Sequence, residues 1–201
     1  MEEQLFIKNN EVRRRKLISI NNSSLIELTK KEQIQGYGEY MILQGYIICR
    51  AGKHLLKIFK AENFIISEES EHQNLIQYEA QGNVKLAKYP LASATDFLQK
   101  QRESQCELMQ LIINRLNIYT LPVKERVMVT LYNIACDTGV LKNGDCHIPA
   151  IMTQVELSSY AHCTREYLNI VRQTLIREGW LFNGKGFVLQ DWQKWQMQCS
   201  P

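Results

Sequence analysis

The fold is decided by residues 153–179, which read TQVELSSYAHCTREYLNIVRQTLIREG. Thr153 and Glu156 match a capping box, in which the threonine oxygen accepts from the third amide and the glutamate reaches back. Thr164 is placed to cap a second, longer helix, and Gly179 suits the left-handed residue that ends such a helix. Two capped helices joined by three or four residues predict a helix-turn-helix motif.

The second helix, about residues 165–177, has two faces when its residues are spaced at about 100°. Its apolar side consists of Leu168, Val171 and Leu175. The opposite side and its margin carry the candidate DNA contacts Arg165, Glu166, Asn169, Gln173, Ile170 and Arg177. Arginine donates to guanine, glutamate accepts from cytosine, and asparagine or glutamine pairs with adenine. The alternative interpretation is a solvated surface on an ordinary pair of helices.

Residues 180–189, WLFNGKGFVL, predict two apolar strands around a turn. A helix-turn-helix followed directly by such a hairpin is a winged helix. Lys185 at the hairpin tip is placed to contact a phosphate, although a lone loop lysine is usually only solvated. The free amides at the helix starts capped by Thr153 and Thr164 also attract phosphate. A last short helix over residues 191–198 is expected to pack on the domain.

The first ninety residues have a different pattern of short apolar runs separated by Gly and Asn. Runs such as residues 40–43, 46–49 and 55–59 are bounded by turn residues, which predicts strands of an antiparallel sandwich or barrel. The basic run at residues 13–16 (RRRK) lies among polar residues. It is interpreted as a solvated face rather than a nucleic-acid patch.

Residues 94–119 contain no Gly or Pro and are rich in helix formers, which predicts a helix about 40 Å long. Residues at alternating steps of three and four form a candidate dimer seam: Leu98, Gln101, Gln105, Leu108, Ile112, Arg115 and Tyr119. Met109, Leu111 and Leu116 widen the apolar surface, and parallel pairing with a second copy would cover it. The alternative is a long helix that lies on its own sheet.

Pro122 ends that helix and suits the opening of the next one, which is expected to end at residues 137–139 (DTG). Residues 141–149 predict a turn or short hairpin. The predicted fold class is α+β, in three parts. They are an antiparallel, jelly-roll-like β-roll over residues 1–92, a long dimerisation helix over 93–120 and a winged helix-turn-helix over 121–201.

Composition and charge limit the function classes. The 201 residues are 45% hydrophobic and 22% charged, which is typical of a folded chain. The chain begins MEEQ, without the pattern of a secretory signal, and its longest apolar stretch is too short to span a bilayer. We therefore expect a cytoplasmic protein with no membrane partner. The net charge of +3 leaves few arginines for DNA, among them Arg165, Arg172 and Arg177.

Six cysteines are scattered along the chain without a Cys-x-x-Cys pair: Cys49, Cys106, Cys136, Cys146, Cys163 and Cys199. They are interpreted as reduced thiols, and no metal site is predicted because no four ligands have a suitable spacing. No Ser/His/Asp set, carboxylate pair or glycine-rich phosphate loop supports an enzyme. We therefore predict neither catalysis nor a cofactor.

These residues resemble the Crp/Fnr family of bacterial transcription regulators. The similarity is most specific over residues 153–179, and the order of β-roll, long helix, helix-turn-helix and wing extends it over nearly the whole chain. The resemblance implies a homodimer that binds double-stranded DNA at a palindromic site, with RNA polymerase as a candidate further partner. By position it implies that Arg165 and Glu166 contact a G·C pair, that Thr164 contacts phosphate and that Asn169 faces a neighbouring base.

The sequence also departs from the family pattern. Ile170 stands where well-known members have another base-contacting arginine, so we expect a different operator, and an exposed isoleucine suits a thymine methyl group. His162 replaces the usual turn glycine, which predicts a strained or altered turn. Between Phe64 and Pro90 the sequence lacks the elements that hold a cyclic nucleotide in this family, so we expect no dependence on cyclic AMP. The alternative function is a partner-controlled or ligand-independent protein-interaction module on the same fold.

Overall fold

The computed structural model describes residues 24–67, 75–90, 93–184 and 186–199. The N-terminal strands are β1 (Ser24–Leu28), β2 (Gly38–Gln44), β3 (Tyr46–Ala51), β4 (His54–Lys60), β5 (Phe64–Ser67), β6 (Ile76–Ala80) and β7 (Val84–Tyr89). The later elements are α1 (Ala94–Tyr119), α2 (Val123–Thr138), β8 (Val140–Lys142), β9 (Asp145–Ile148), α3 (Gln154–Tyr160), α4 (Arg165–Arg177), β10 (Phe187–Leu189) and α5 (Trp192–Cys199). This arrangement confirms the α+β class. The basic run at residues 13–16 lies outside the described residues.

Strands β1 to β7 form two antiparallel sheets, in the orders β1-β7-β2-β5 and β4-β3-β6. Apolar side chains fill the core of this β-roll: Tyr40, Ile42, Ile47, Cys49, Phe59, Ile65, Ala80, Val84 and Leu86. The connection from β2 to β3 passes through Gly45, whose φ is +90°. A Cβ atom there would lie 2.7 Å from the carbonyl oxygen of Asn83, so this turn requires glycine.

Helix α1 has the 26 residues predicted from its sequence and begins at Ser93, whose side chain caps it. It is tied to the β-roll by two ion pairs. Lys100 Nζ lies 2.8 Å from Glu39 Oε2 of β2, and Lys57 of β4 pairs with Glu107. One side of α1 therefore lies along the chain's own β-roll.

Helix α2 leads from the β-roll into the C-terminal part, and eight of its side chains are buried. Six of the eight belong to a hydrophobic cluster that also contains Ile48, Leu55 and Ile58 of the β-roll and Leu168 of α4. The amide of Ile58 also donates to Asp137 Oδ2 at 2.8 Å. The β-roll and the C-terminal part therefore share one core.

The C-terminal sheet has the order β10-β9-β8, and β8 and β9 form the hairpin predicted at residues 141–149. The predicted wing is regular only in its second arm, β10, because the first arm contributes a single bridge between Leu181 and Leu189. The amides of Trp180 and Leu181 both donate to the carbonyl oxygen of Leu175, at 2.8 and 3.3 Å. These bonds complete the end of α4, and the first arm pairs with β10 only through the amide of Phe182, which donates to Val188 at 3.0 Å, and the amide of Gln190, which donates to Trp180 at 2.9 Å.

Helix α5 packs on the C-terminal part, as its sequence predicts. Trp195 is fully buried, and the ring of Trp192 stacks on that of Tyr132 with centroids 5.2 Å apart. Within the described ranges, none of the helices combines the length and the apolar character that crossing a membrane requires.

Candidate nucleic-acid interface

Helix α3 begins with the predicted capping box. Thr153 Oγ1 accepts from the amide of Glu156 at 3.2 Å, and Glu156 Oε2 accepts from the amide of Thr153 at 2.7 Å. Gln81, from the β6–β7 turn, donates to Glu156 Oε1 at 3.2 Å. Burial disfavours the charged carboxylate, but these hydrogen bonds outweigh it and lower the pKa of Glu156. The start of α3 is therefore held both locally and by the β-roll.

The turn between α3 and α4 contains a left-handed residue, His162, whose φ is +53°. The amide of Cys163 donates to the carbonyl oxygen of Ser158 at 3.0 Å, which closes the turn. Thr164 Oγ1 then accepts from the amide of Tyr167 at 3.2 Å and starts α4. Residues other than glycine rarely adopt this backbone conformation, so the altered turn expected at His162 is confirmed.

The ring of His162 contacts both the end of α1 and the start of β4. Its centroid lies 4.9 Å from that of Tyr119 and 5.5 Å from that of His54. The hydroxyl of Tyr119 hydrogen-bonds to His54 Nδ1. Burial, with the nearby His162 and Arg115, lowers the pKa of His54, which favours its neutral form. We call His54, Tyr119 and His162 the ring cluster; it joins the helix-turn-helix to the rest of the molecule.

Helix α4 has the two faces that its sequence predicts. Leu168, Val171 and Leu175 are at most 4% exposed, and they pack in the shared core. The exposed residues of the helix include every candidate DNA contact on it: Arg165, Glu166, Asn169, Ile170, Gln173 and Arg177. Hydrogen bonds from its own backbone amide and from the side chain of Thr164 lower the pKa of Glu166, so this carboxylate is an ionised acceptor at neutral pH.

The other candidate contacts lie at the ends of these helices and in the wing. Thr153 and Thr164 are both exposed at helix starts. Lys185 lies outside the described residues.

Arg172, which the charge count groups with the arginines available to DNA, has a different role. Its Nη2 atom donates to the carbonyl oxygen of Gly184, and its guanidinium lies 5.4 Å from the centroid of the Phe187 ring. Arg172 therefore holds the wing against α4.

No protein-family model and no curated protein matches the chain. Among solved structures, a CRP/FNR-family transcriptional regulator from Thermus thermophilus is 18% identical, with a TM-score of 0.69, over 89% of this chain and 99% of that chain. FixK2 from Bradyrhizobium japonicum is 15% identical, with a TM-score of 0.68, over 89% of this chain and 98% of that chain. The c-di-GMP responsive global regulator CLP from Xanthomonas campestris is 16% identical, with a TM-score of 0.60, over 90% of this chain and 99% of that chain. The chain has the CRP/FNR fold.

In this CRP/FNR fold, α1 exposes an apolar surface that differs from the seam predicted by spacing. Leu98 is exposed as predicted, and Gln105 is exposed beside it, while Gln101 and Ile112 are half-buried. Leu108 instead packs against the β-roll core, and Arg115 is only 6% exposed. These two residues face inward because ion pairs and packing fix that side of α1 to the β-roll.

The exposed apolar residues of α1 lie at helical spacing on its outer side: Leu98, Met109, Ile113 and Leu116. We call these four residues the outer stripe. Their side chains are 44% to 61% exposed. Met109 and Leu116 belong to the widened apolar surface that the sequence predicts for this helix. Ile113 was not predicted to be part of that surface. The outer stripe is an exposed apolar surface of α1.

The cysteines are free thiols, and Cys49 and Cys146 are buried. Burial raises the pKa of Cys49 to about 12, which keeps the thiol protonated at neutral pH. The part of the chain that the structure describes contains no group of three or more His, Cys, Asp or Glu side chains arranged to hold a metal ion.

Two features near the motif were missed by sequence reasoning. Tyr167 is 46% exposed on α4, beside Ile170, and is a further candidate contact. Its place one helical turn from Ile170 was visible in the sequence, but aromatic residues on short helices are more often buried. The ring cluster had no local signal, because its three members lie far apart along the chain.

Proposed function

We propose that this chain is a sequence-specific DNA-binding transcription regulator that acts as a homodimer on a palindromic site in the cytoplasm. It is not an enzyme, and it does not depend on cyclic AMP. In this proposal residues 1–92 are a sensor-like β-roll, residues 93–120 the dimerisation helix and residues 121–201 the winged helix-turn-helix. RNA polymerase is a candidate further partner.

The exposed face of α4 carries the proposal. One face of α4 is exposed and carries Arg165, Glu166, Asn169 and Gln173. The other face is buried in the core. Arg165 would donate to guanine and Glu166 would accept from cytosine of the same base pair. Asn169 and Gln173 would contact neighbouring bases, and Ile170, which is 60% exposed, would meet a thymine methyl group.

Backbone contacts would position the helix on the duplex. Thr153 and Thr164 stand at two helix starts, where free amides favour phosphate oxygens. Arg177 and Lys185 would add charge at the end of α4 and at the wing. With two copies paired through α1, the two α4 helices would enter successive major grooves roughly 34 Å apart.

In vitro selection of DNA bound by the full chain, with and without cell extract, tests the proposal. We expect a palindromic consensus. Arg165→Ala should cost about 1–3 kcal/mol on that site and relax specificity at one position of each half-site. Lys85→Ala, which removes an exposed cation from the β-roll, should bind as the unchanged chain does. A selection without a consensus, or an equal loss by Arg165→Ala on random DNA, contradicts the assigned base contact.

A protein-interaction module is the second candidate, and the exposed apolar residues of the motif favour it. Val155, Tyr167 and Ile170 are each 46% to 60% exposed. Exposed apolar patches commonly mark protein contacts. Failure to select any DNA sequence, combined with capture of a defined protein that Ile170→Glu abolishes, would favour this function over DNA binding.

A further inference from the structure

The hydrogen bonds of the ring cluster run in one direction, from α1 to β4. Arg115 Nε donates to Tyr119 Oη at 3.3 Å, and a guanidinium can only donate. The hydroxyl proton of Tyr119 is then left for its hydrogen bond with His54 Nδ1. His54 Nδ1 is therefore an acceptor, and Nε2 carries the proton of a neutral imidazole.

The groups around His54 and His162 favour that neutral form. Burial, followed by the nearby His162 and Arg115, lowers the pKa of His54. The carbonyl oxygen of His162 accepts from Arg126 Nη2 at 3.3 Å. The charged and titratable neighbours are Arg115 and Tyr119 of α1, Arg126 of α2, Lys53 of the β3–β4 turn and Cys163 of the α3–α4 turn. None of them is a carboxylate that would offset a positive charge on His54.

Solvent protons can reach the ring cluster. His54 and His162 both line an open cleft of about 610 Å³ between the β3–β4 turn and the helix-turn-helix. His162 is exposed and His54 is half-buried. The same cleft is lined by Thr164, which caps α4. A change at His54 therefore occurs next to the start of α4.

We propose that a proton on His54 Nδ1 releases the turn before α4 from α1 and β4, which makes the ring cluster a pH-sensitive switch of the helix-turn-helix. Once Nδ1 carries a proton, it can no longer accept from Tyr119, whose oxygen already accepts from Arg115. The new cation also stands close to His162, whose ring centroid lies 5.5 Å from that of His54. The hydrogen bond and the ring contacts that hold the turn are lost together.

The direction of the pH dependence follows from the pKa of His54. Because this pKa is lowered in the folded chain from its ordinary value of 6.5, the closed ring cluster binds the proton less tightly than a separated one. The contact is at full strength above pH 6.5 and weakens as the pH falls below that value. One proton changes the equilibrium between the closed and the open cluster by at most about tenfold per pH unit.

Hydrogen exchange of the full chain without DNA tests the release. The quantity to measure is the ratio of amide exchange in residues 158–167 to that in residues 127–135 of α2, so that the intrinsic effect of pH cancels. Between pH 7.5 and pH 5.5 we expect this ratio to rise severalfold. The range ends above the titration of Glu156, whose pKa is lowered from 4.5, so the capping box of α3 stays intact.

Variants assign the effect to His54. His54→Asn keeps an acceptor near the position of Nδ1 but takes up no proton, so its ratio should stay flat over this range. His147→Gln, in β9 and outside the ring cluster, is the matched control and should rise as the unchanged chain does. A flat ratio in the unchanged chain, or an equal rise in His54→Asn, would overturn the proposal.

The protonation state of His54 is measured without any variant, which keeps the proposal testable if His54→Asn does not fold. Ring ¹⁵N shifts of the histidine-labelled full chain at pH 7.5 show which nitrogen carries the proton. We expect Nε2. A proton on Nδ1 would reverse the bond to Tyr119 and overturn the proposal.

The effect of the switch on DNA rests on the proposed function. On a selected operator, we expect the affinity to fall severalfold from pH 7.5 to pH 5.5 in the unchanged chain and to stay constant in His54→Asn. A chain that binds no operator but shows the exchange response would refute the proposed function and leave the switch in place. Operator binding with the same pH dependence in both chains would refute control of DNA binding by His54.

Discussion

Asp137 is the residue through which the end of α2 holds the β-roll. Its Oδ2 atom accepts from the amide of Ile58 at 2.8 Å. Burial raises its pKa from 3.8 to about 6, and the nearby Lys57 and Lys60 offset only part of that effect. The folded chain therefore binds this proton more tightly than the unfolded chain does. The contribution of Asp137 to stability falls as the pH rises from about 4 to 6.

Asp137→Asn should remove this pH dependence, because asparagine still offers an oxygen to Ile58 but carries no charge. Between pH 4 and pH 8 we expect the variant to gain about 2 kcal/mol of unfolding free energy relative to the unchanged chain. Urea unfolding at several pH values measures this difference. Glu103→Gln, at an exposed carboxyl of α1, is the matched control and should show no such gain. Parallel pH profiles for Asp137→Asn and the unchanged chain would refute the assignment.

Single residues differ in how far their roles could be predicted. The exposed and buried faces of α4 followed from helical periodicity, because that periodicity is a local property of the chain. The role of Arg172 did not follow, because it depends on a partner outside the reach of a local pattern, the wing. The burial of Arg115 did not follow either, because it depends on which side of α1 faces the β-roll. A count of charges does not distinguish such arginines from those that are available to contact DNA.

At the scale of elements, the outer stripe of α1 is an apolar surface that stays exposed among the described residues. Its four apolar side chains follow one line of the helix on the side away from the β-roll. A second copy that presents the same stripe would cover both, as the symmetry of a homodimer requires. The stripe, rather than Leu108 and Arg115, is therefore the surface to test for dimerisation.

If the proposed homodimer pairs through the outer stripe, Leu116→Glu should convert it to a monomer, because the substitution buries a charge in an apolar contact. Sedimentation of the purified chain over a range of concentrations measures the change. Leu141→Glu is a matched control, because Leu141 on β8 is 62% exposed and Leu116 is 60% exposed. A Leu116→Glu chain that sediments like both the unchanged chain and Leu141→Glu would remove the outer stripe from the interface.

The bounds of the helices could be predicted because their signals are local. Pro122, Thr153 and Thr164 lie at helix starts, and Gly139 ends α2, as the sequence indicates. The first arm of the wing is shorter than the predicted strand, because only Leu181 bridges to β10, between the hydrogen bonds that join Phe182 to Val188 and Gln190 to Trp180. The side of α1 that faces the β-roll could not be predicted either, because it is determined by ion pairs with β2 and β4.

At the scale of the whole molecule, the charge balance limits the affinity for DNA that the proposed function can draw on. Its 24 basic and 21 acidic residues give a net charge of only +3. Non-specific affinity comes mainly from phosphate neutralisation, so it should be modest. Under the proposed function, specific contacts on α4 would then supply most of the preference for an operator.

The salt dependence of operator binding should be shallow. If Arg177 and Lys185 of each protomer neutralise phosphates, a dimer displaces about four counterions, and log K should fall with log salt at a slope of about −4. Fluorescence anisotropy between low and moderate potassium chloride measures this slope. Replacing residues 13–16 by glutamine should leave it unchanged, since that basic run is predicted to be solvated. A much steeper slope that this replacement flattens would contradict that interpretation.

The core that α2 shares with β4 decides how this protein can be dissected. A fragment that begins at residue 121 would keep its helices but lose Ile48, Leu55 and Ile58, which cover part of α2 in the full chain. The bared surface would be apolar, and such surfaces drive aggregation. The winged helix is therefore not a detachable module. A truncated chain for DNA work should retain β3 and β4, or carry polar replacements at the positions of α2 that they cover.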